Sequence, residues 1–381
     1  MIVIHFHNGK EGGVFSVMKN LLNFQQSPYI ENHIIYTINK DEFHDFQIPI
    51  IPNTKSQKVF YYSSNWNFYY TCKKLARLLP NENAVIVAND WIELGMVSNL
   101  GLSNPVIQIL HGDYNYYYNL ATIHNKNINF MFCVSPVISK KLKLKLNPEK
   151  VCDWRFPIPN SDDVIKSRKN ICMAFFAGNI LDPNKNYRIL PIIDKILVNK
   201  KIEINWFIAG GGINKEEIDS FWNENTQSRV NHYGLLNEFQ INDFLLNCNT
   251  MILPSREEGL PVSVVEAMKK GIVPFVSYWN GAVSEIVIEG ETGFYADFSN
   301  SQEYADKIEL FYLNKELREQ MSVSAKVKAD NIFNPVISVQ IFENIALSLK
   351  SNKVKKNRVY CSRLDRKLIP NFLVRFIRSI I

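Results

Sequence analysis

Cysteine is scarce and unpatterned: the six residues, at 72, 133, 152, 172, 248 and 361, show no C-x-x-C spacing. Several sit inside apolar runs, which reads as buried free thiols in a reducing compartment, not as disulfides or zinc ligands. No stretch approaches eighteen consecutive apolar residues, so no membrane-spanning helix is expected. The start, Met1-Ile-Val-Ile, lacks a basic region followed by an apolar core and reads as a strand. The expectation is therefore no signal peptide and a cytoplasmic protein. His5 and His7 alternate on that strand without a third ligand nearby, so no metal site is expected. A basic excess is missing from most of the chain. The net charge is +6, but from Ser351 onward four Lys and five Arg face only Asp365, a net of +8. Nucleic-acid binding asks for basic stripes on a folded face, and that class of partner is set aside.

What is present is a full-sized apolar core. The chain has 381 residues, 46% hydrophobic and 21% charged, which suits two domains better than one. Short apolar runs at 2–6, 34–37, 84–88, 106–110 and 129–134 read as strands, separated by helical patterns at 14–26, 66–79 and 136–146. The second half repeats the scheme with strands at 173–177, 205–209, 230–233, 250–253 and 273–277. Such alternation predicts α/β architecture with parallel sheets covered on both faces. Periodicity breaks around Phe156-Pro-Ile-Pro159 and the polar run after it. The expected layout is two doubly wound, Rossmann-like domains facing a central cleft, at 1–158 and 159–335, followed by a C-terminal helix and basic tail at 336–381.

The most informative stretch is 252–293. A short apolar strand ends at Pro254, a turn carries Glu258 and Gly259, and Pro261 starts a helix that Gly271 can stop. Free backbone N–H groups at a helix start seat phosphate, and a carboxylate further along can reach a ribose. Glu258 and Glu266 stand eight residues apart. Together they form the E-x7-E pattern of the retaining glycosyltransferases of family 4, which have the GT-B fold, and the stretch resembles that family closely. The resemblance covers 1–346 and is sharpest from Phe175 onward.

The resemblance implies roles for named residues. Gly178, Asn179 and Lys185 match the family's strand-then-loop element that grips the donor diphosphate, with Asn179 standing where an arginine is expected. An amide is a weaker phosphate anchor than a bidentate guanidinium, and Arg188 or Arg256 is a candidate substitute. Gly210 falls in a glycine cluster that brings backbone close to the nucleotide, and Gly234 and Leu235 match the strand end that reads the base. Glu266 is expected on the ribose and Glu258 beside the transferred sugar. The amides of Gly259, Leu260, Val262 and Ser263, with Pro261 between them, are expected to face sugar and phosphate. In the first half, Gly12-Gly13 resembles the family's N-terminal loop, and His111 stands where the family commonly has a histidine at the reacting centre. Ser135 resembles a recurrent Val-Ser and suits a helix N-cap.

The implied reaction moves a sugar from a nucleoside diphosphate to an acceptor hydroxyl with retained configuration. No D-x-D is present, so Lys185 and backbone donors are expected to stabilise the departing diphosphate without metal or other cofactor. The expected catalytic residues are Glu258, Lys185 and His111, and the expected acceptor is a lipid-linked or growing surface glycan. Two other classes fit the same fold: a sugar-nucleotide epimerase and a non-catalytic glycan-binding or partner subunit. Apolar residues at 369, 372, 373, 376, 377 and 380 form a helical stripe with Arg375 and Arg378 on other faces. Residues 351–381 thus suit either an anionic membrane surface, with the protein peripheral on the inner face of the plasma membrane, or docking on the first domain.

Overall fold

The computed structural model describes residues 1–10, 12–42, 46–80, 83–161, 171–212, 216–217, 220, 222, 229–278, 283–350, 359 and 362–380. The chain forms two units. Unit 1 comprises Met1–Pro157 together with Pro335–Ile381, and unit 2 comprises Ile158–Asn334.

Unit 1 alternates strands and helices: β1 (Ile2–His7), α1 (Gly13–Asn23), β2 (Glu31–Asn39), β3 (Thr54–Tyr62), α2 (Phe68–Ala76), β4 (Val85–Ala88), α3 (Trp91–Leu100), β5 (Val106–Leu110), α4 (Asn115–His124), β6 (Phe130–Cys133), α5 (Pro136–Lys143) and β7 (Val151–Asp153). The strands form a parallel sheet in the order β3-β2-β1-β4-β5-β6-β7. Val3, Ile4 and Phe6 in β1 and all of β4 and β5 are buried. Helices on both faces of a parallel sheet leave its central strands no solvent side, which is why they read as unbroken apolar runs. Local chemistry sets the helix ends. Asp90 and Glu93 form a capping box at the start of α3, and Gly101 ends it in the left-handed conformation. The Ser135 hydroxyl accepts from the Ile138 amide, the cap expected of it, with Pro136 as the first residue of α5.

Unit 2 repeats the plan with β8 (Ile171–Asn179), α6 (Leu190–Asn199), β9 (Ile204–Gly211), β10 (Arg229–His232), α7 (Glu238–Leu246), β11 (Thr250–Leu253), α8 (Val262–Met268), β12 (Val273–Ser277), α9 (Val283–Ile286), β13 (Phe294–Ala296), α10 (Ser301–Leu313) and α11 (Lys315–Ile332). Its parallel sheet runs β10-β9-β8-β11-β12-β13. Met173, Phe175, Trp206, Trp222, Phe275 and Phe311 are among its core residues.

The chain then returns to unit 1 as α12 (Pro335–Ser348) and α13 (Asn371–Ile380). The Glu343 carboxylate accepts from the amides of Gln26 and Ser27 at 2.9 and 3.0 Å, and the Trp154 indole donates to the Ser338 carbonyl. The tail docks on unit 1 at the start of α2. The Asn67 side chain donates to the carbonyls of Leu364, Arg366 and Ile369, and the Phe68 amide donates to Asp365. Cys72, Cys133, Cys172 and Cys248 are buried, and Cys152 is half-buried. Strands β3, β7 and β13 go beyond those the apolar runs indicate. All three are last in line at a sheet edge, where one side of the strand meets water and an apolar run is not needed.

Candidate functional site

Unit 2 has a topological switch between β8 and β11. From β8 the sheet grows through β9 to β10, and from β11 it grows the other way through β12 to β13. The crevice outside the carboxyl ends of two such strands is where open α/β sheets take their ligands. Lys185 and Glu258 meet there. Lys185 ends a short 3-10 turn, Pro183–Lys185, on the segment leaving β8, and Glu258 lies on the turn leaving β11. Lys185 Nζ is 2.5 Å from Glu258 Oε1, and both side chains are largely buried.

Asn184 holds the two segments in register. Its amide nitrogen donates to the Glu257 carbonyl at 2.7 Å, and its amide oxygen accepts from the Glu257 N–H at 3.0 Å. Its own carbonyl accepts from the Arg256 N–H at 2.8 Å. Asp182 caps the 3-10 turn, and Asn186 leaves it with φ of 50°, in the left-handed region that asparagine tolerates. The Arg256 guanidinium lies over the Phe298 ring, 5.0 Å from its centroid. Ser255 is fully buried, and its hydroxyl has no hydrogen-bond partner among the described residues.

The glycines expected at the nucleotide lie on the same edge of the sheet. Gly210, the last residue but one of β9, has φ of 149°, and a Cβ there would fall 2.2 Å from the Ala177 carbonyl oxygen. No other residue fits so close to β8. The Gly210 amide donates to the Gly234 carbonyl, and Gly234 has φ of 65°, so the ends of β9 and β10 are tied together. Leu235 follows, largely exposed. Gly178 and Asn179 end β8, and their side-chain surroundings lie outside the described residues. Gly259, Leu260 and Pro261 are buried, and Val262 opens α8, whose N-cap Pro261 supplies no side-chain cap. The Pro261 carbonyl accepts from the amides of Val264 and Val265, which leaves the amides of Val262 and Ser263 at the helix start without an intrahelical acceptor. Glu266 is partly buried, one helical turn past Val262.

Unit 1 has its own switch, between β1 and β4, and polar residues gather there. The Asn89 amide nitrogen donates to the Phe6 carbonyl at 2.7 Å, which turns its oxygen toward His111 Nε2 at 2.8 Å. That arrangement puts the imidazole proton on Nε2 and leaves Nδ1 as an acceptor. Burial holds the His111 pKa down at about 3, and that of His7 at about 4. Glu93, also buried, accepts from the amides of Asn89 and Asp90 through one oxygen, while the other has no partner among the described residues. Burial, with the Asp90 carboxylate adding to it, pushes its pKa up to about 8. Gly12 has φ of 143° and open space at the Cβ position, and Gly13 is the first residue of α1.

The structure thus gathers Lys185, Glu258, Gly210, Gly234 and the start of α8 along one edge of unit 2, and places His111, Gly12 and Gly13 in unit 1. Sequence patterns do not single out Asn184 or Asn89. Each acts through partners distant in the chain, and an isolated asparagine carries no spacing signal.

Comparison with known proteins gives a consistent picture. Residues 161–328 match the family model described as glycosyl transferases group 1. An uncharacterized glycosyltransferase of Methanocaldococcus jannaschii is 25% identical over 330 residues, covering 83% of this chain and 89% of the relative. The N,N'-diacetylbacillosaminyl-diphospho-undecaprenol alpha-1,3-N-acetylgalactosaminyltransferase of Campylobacter jejuni is 32% identical over 125 residues, covering 33% of this chain and 32% of that enzyme. Among solved structures, a variant of TarM from S. aureus with fondaparinux, alpha-GlcNAc-glycerol and UDP superposes with a TM-score of 0.75 at 11% identity, covering 91% of this chain and all of that one. Anabaena HepE with UDP-glucose gives a TM-score of 0.70 at 16% identity, covering 92% and 100%.

Proposed function

We propose, from the match of residues 161–328 to the glycosyl transferases group 1 model and from the GT-B fold, that this glycosyltransferase binds a nucleoside-diphosphate sugar in unit 2 and transfers the sugar, with retained anomeric configuration, to an acceptor hydroxyl. The observation that carries the proposal is the Lys185–Glu258 pair at the switch between β8 and β11, with the Gly210–Gly234 contact beside it. The glycines let a base and ribose lie against bare backbone, and Glu266 suits the two vicinal ribose hydroxyls.

In this reading the diphosphate lies against Lys185. An ammonium has three donors, so Lys185 can keep Glu258 and still reach phosphate. Glu258 is thereby oriented for a sugar hydroxyl. Arg256, on the same turn, supplies the second cation that Asn179 does not. As the sugar–phosphate bond breaks, charge grows on the leaving oxygen, and Lys185 with the amides at 259–263 stabilises it. Each such preorganised donor is worth roughly 3–4 kcal/mol. The leaving phosphate takes the acceptor proton on the same face as attack, which retains configuration and needs no separate base. Neutralisation by Lys185 and Arg256 takes the place of a metal. We assign His111 and the Gly12–Gly13 turn to the acceptor side, and the acceptor to a growing or lipid-linked glycan. The C. jejuni relative, by its name, acts on a saccharide linked to diphospho-undecaprenol.

The test is donor turnover with a panel of nucleotide sugars, with product configuration read by NMR. Lys185→Ala should lower kcat by about two to three orders of magnitude, Arg256→Ala should mainly raise the donor KM, and EDTA should change neither rate. Near-normal turnover by Lys185→Ala, or an inverted product, would overturn the proposal.

A further inference from the structure

An amphipathic helix normally turns its apolar stripe toward its own protein. Helix α13 does the reverse. Its docked side carries Val374, fully buried, and Arg378, whose guanidinium donates to the carbonyls of Ser64 and Trp66 and pairs with the buried Asp365 carboxylate at 2.9 Å. At about 100° per residue, Phe372, Phe376 and Ile380 lie roughly half a turn away from that docked side. They are 75%, 63% and 69% exposed, and Leu368, just before the helix, is 91% exposed. Arg363, Arg366, Lys367 and Arg375 are exposed around this stripe. Lys353, Lys355, Lys356 and Arg358 precede it in the sequence, and Asp365, the single acid after Ser351, is consumed by Arg378.

We propose that α13 is an interfacial anchor for anionic lipid, clamped to unit 1 so that Leu368, Phe372, Phe376 and Ile380 enter the acyl boundary while the surrounding Arg and Lys meet lipid phosphates. Charge complementarity selects the occupant. A second copy of this tail would set like charges against each other, whereas an anionic bilayer takes both the apolar stripe and its basic rim. The clamp gives the helix its direction. Arg378 is not a lipid contact but the residue that turns the stripe outward, together with Asn67, whose side chain holds three carbonyls of the segment before the helix. The inference stands on the tail alone and does not depend on the donor reading.

Sedimentation of the full chain with phosphatidylglycerol/phosphatidylcholine vesicles tests it. The protein should pellet with the mixed vesicles, less so at high salt, and little with phosphatidylcholine alone. The double substitution Phe372→Glu, Phe376→Glu alters only exposed side chains and should weaken partitioning about a hundredfold. Soluble donor turnover, measured in parallel, should be unchanged. Arg378→Ala should also weaken binding, with faster amide exchange across 362–380. Equal pelleting of the wild type and the double variant would overturn the proposal. So would an absence of vesicle binding combined with a dimer that the double substitution dissociates, since a second copy would then cover the stripe.

Discussion

Asn184 ties two turns that are more than seventy residues apart in the chain, and the charge pair at the switch depends on it. Asn184→Asp keeps the shape but replaces the donor to the Glu257 carbonyl with a second acceptor, so it should cost donor affinity while leaving the fold intact. Glu93 poses the opposite case, a buried carboxyl that holds its proton. Its raised pKa means that the folded state binds more protons than the unfolded state between pH 4.5 and about 8. Stability contributed by protonated Glu93 is therefore present at low pH and is lost as pH rises through that window. Glu93→Gln keeps the oxygen that accepts from Asn89 and Asp90 and cannot ionise. Its advantage over the wild type should grow across that window by about 1.4 kcal/mol per pH unit. Urea denaturation at a series of pH values measures this, and a gap independent of pH would show that Glu93 ionises freely in the native state.

At the level of elements, the central strands and the start of α8 were legible because they are local. Burial on both faces writes a continuous apolar run into β4, β5, β11 and β12, and a proline followed by short apolar spacing marks α8. Strand β3 was not legible, since Thr54-Lys-Ser-Gln-Lys mixes charge and hydroxyl on an exposed edge, and β7 and β13 are only three residues long. The candidate site was legible as a series of separate segments, but the Lys185–Glu258 contact was not, because pairing across a switch point depends on strand order. Docking of the tail on the first domain was one of the two expectations, but the residues that hold it were hidden, since Asn67, Phe68, Tyr70 and Arg378 act through partners about three hundred residues away. Asn67 is fully buried, caps α2 through its oxygen and donates to three tail carbonyls. Asn67→Ala should cost on the order of 2–4 kcal/mol and release 362–380 to protease before the rest of unit 1 unfolds. Simultaneous cleavage of both would mean that the tail and α2 unfold as one body.

For the whole molecule, the histidines divide unevenly. His5, His7 and His124 have pKa values lowered to about 4 by burial and His111 to about 3, and all four belong to unit 1. A depressed histidine leaves the unfolded state with more bound protons between about pH 4 and 6.5, so stability is fully present above 6.5 and is lost as pH falls through that window. Four histidines outweigh the opposite slope from Glu93. Unit 1 should therefore be most stable near pH 6.5, decline gently toward 8 and steeply toward 4, and unfold in acid before unit 2. Hydrogen exchange at pH 7 and pH 5, resolved by peptide, checks the order; equal acceleration in both units would contradict it.

Unit 1 is assembled from two separated stretches of chain, with unit 2 inserted between them. During synthesis on the ribosome, the first 157 residues emerge without Glu343 to hold the amides of Gln26 and Ser27, and without the Ser338 carbonyl for the Trp154 indole. Unit 2 is complete before its predecessor can close. A nascent chain stalled after Asn334 would expose the surfaces that α12 covers, and chaperones would find their binding sites there.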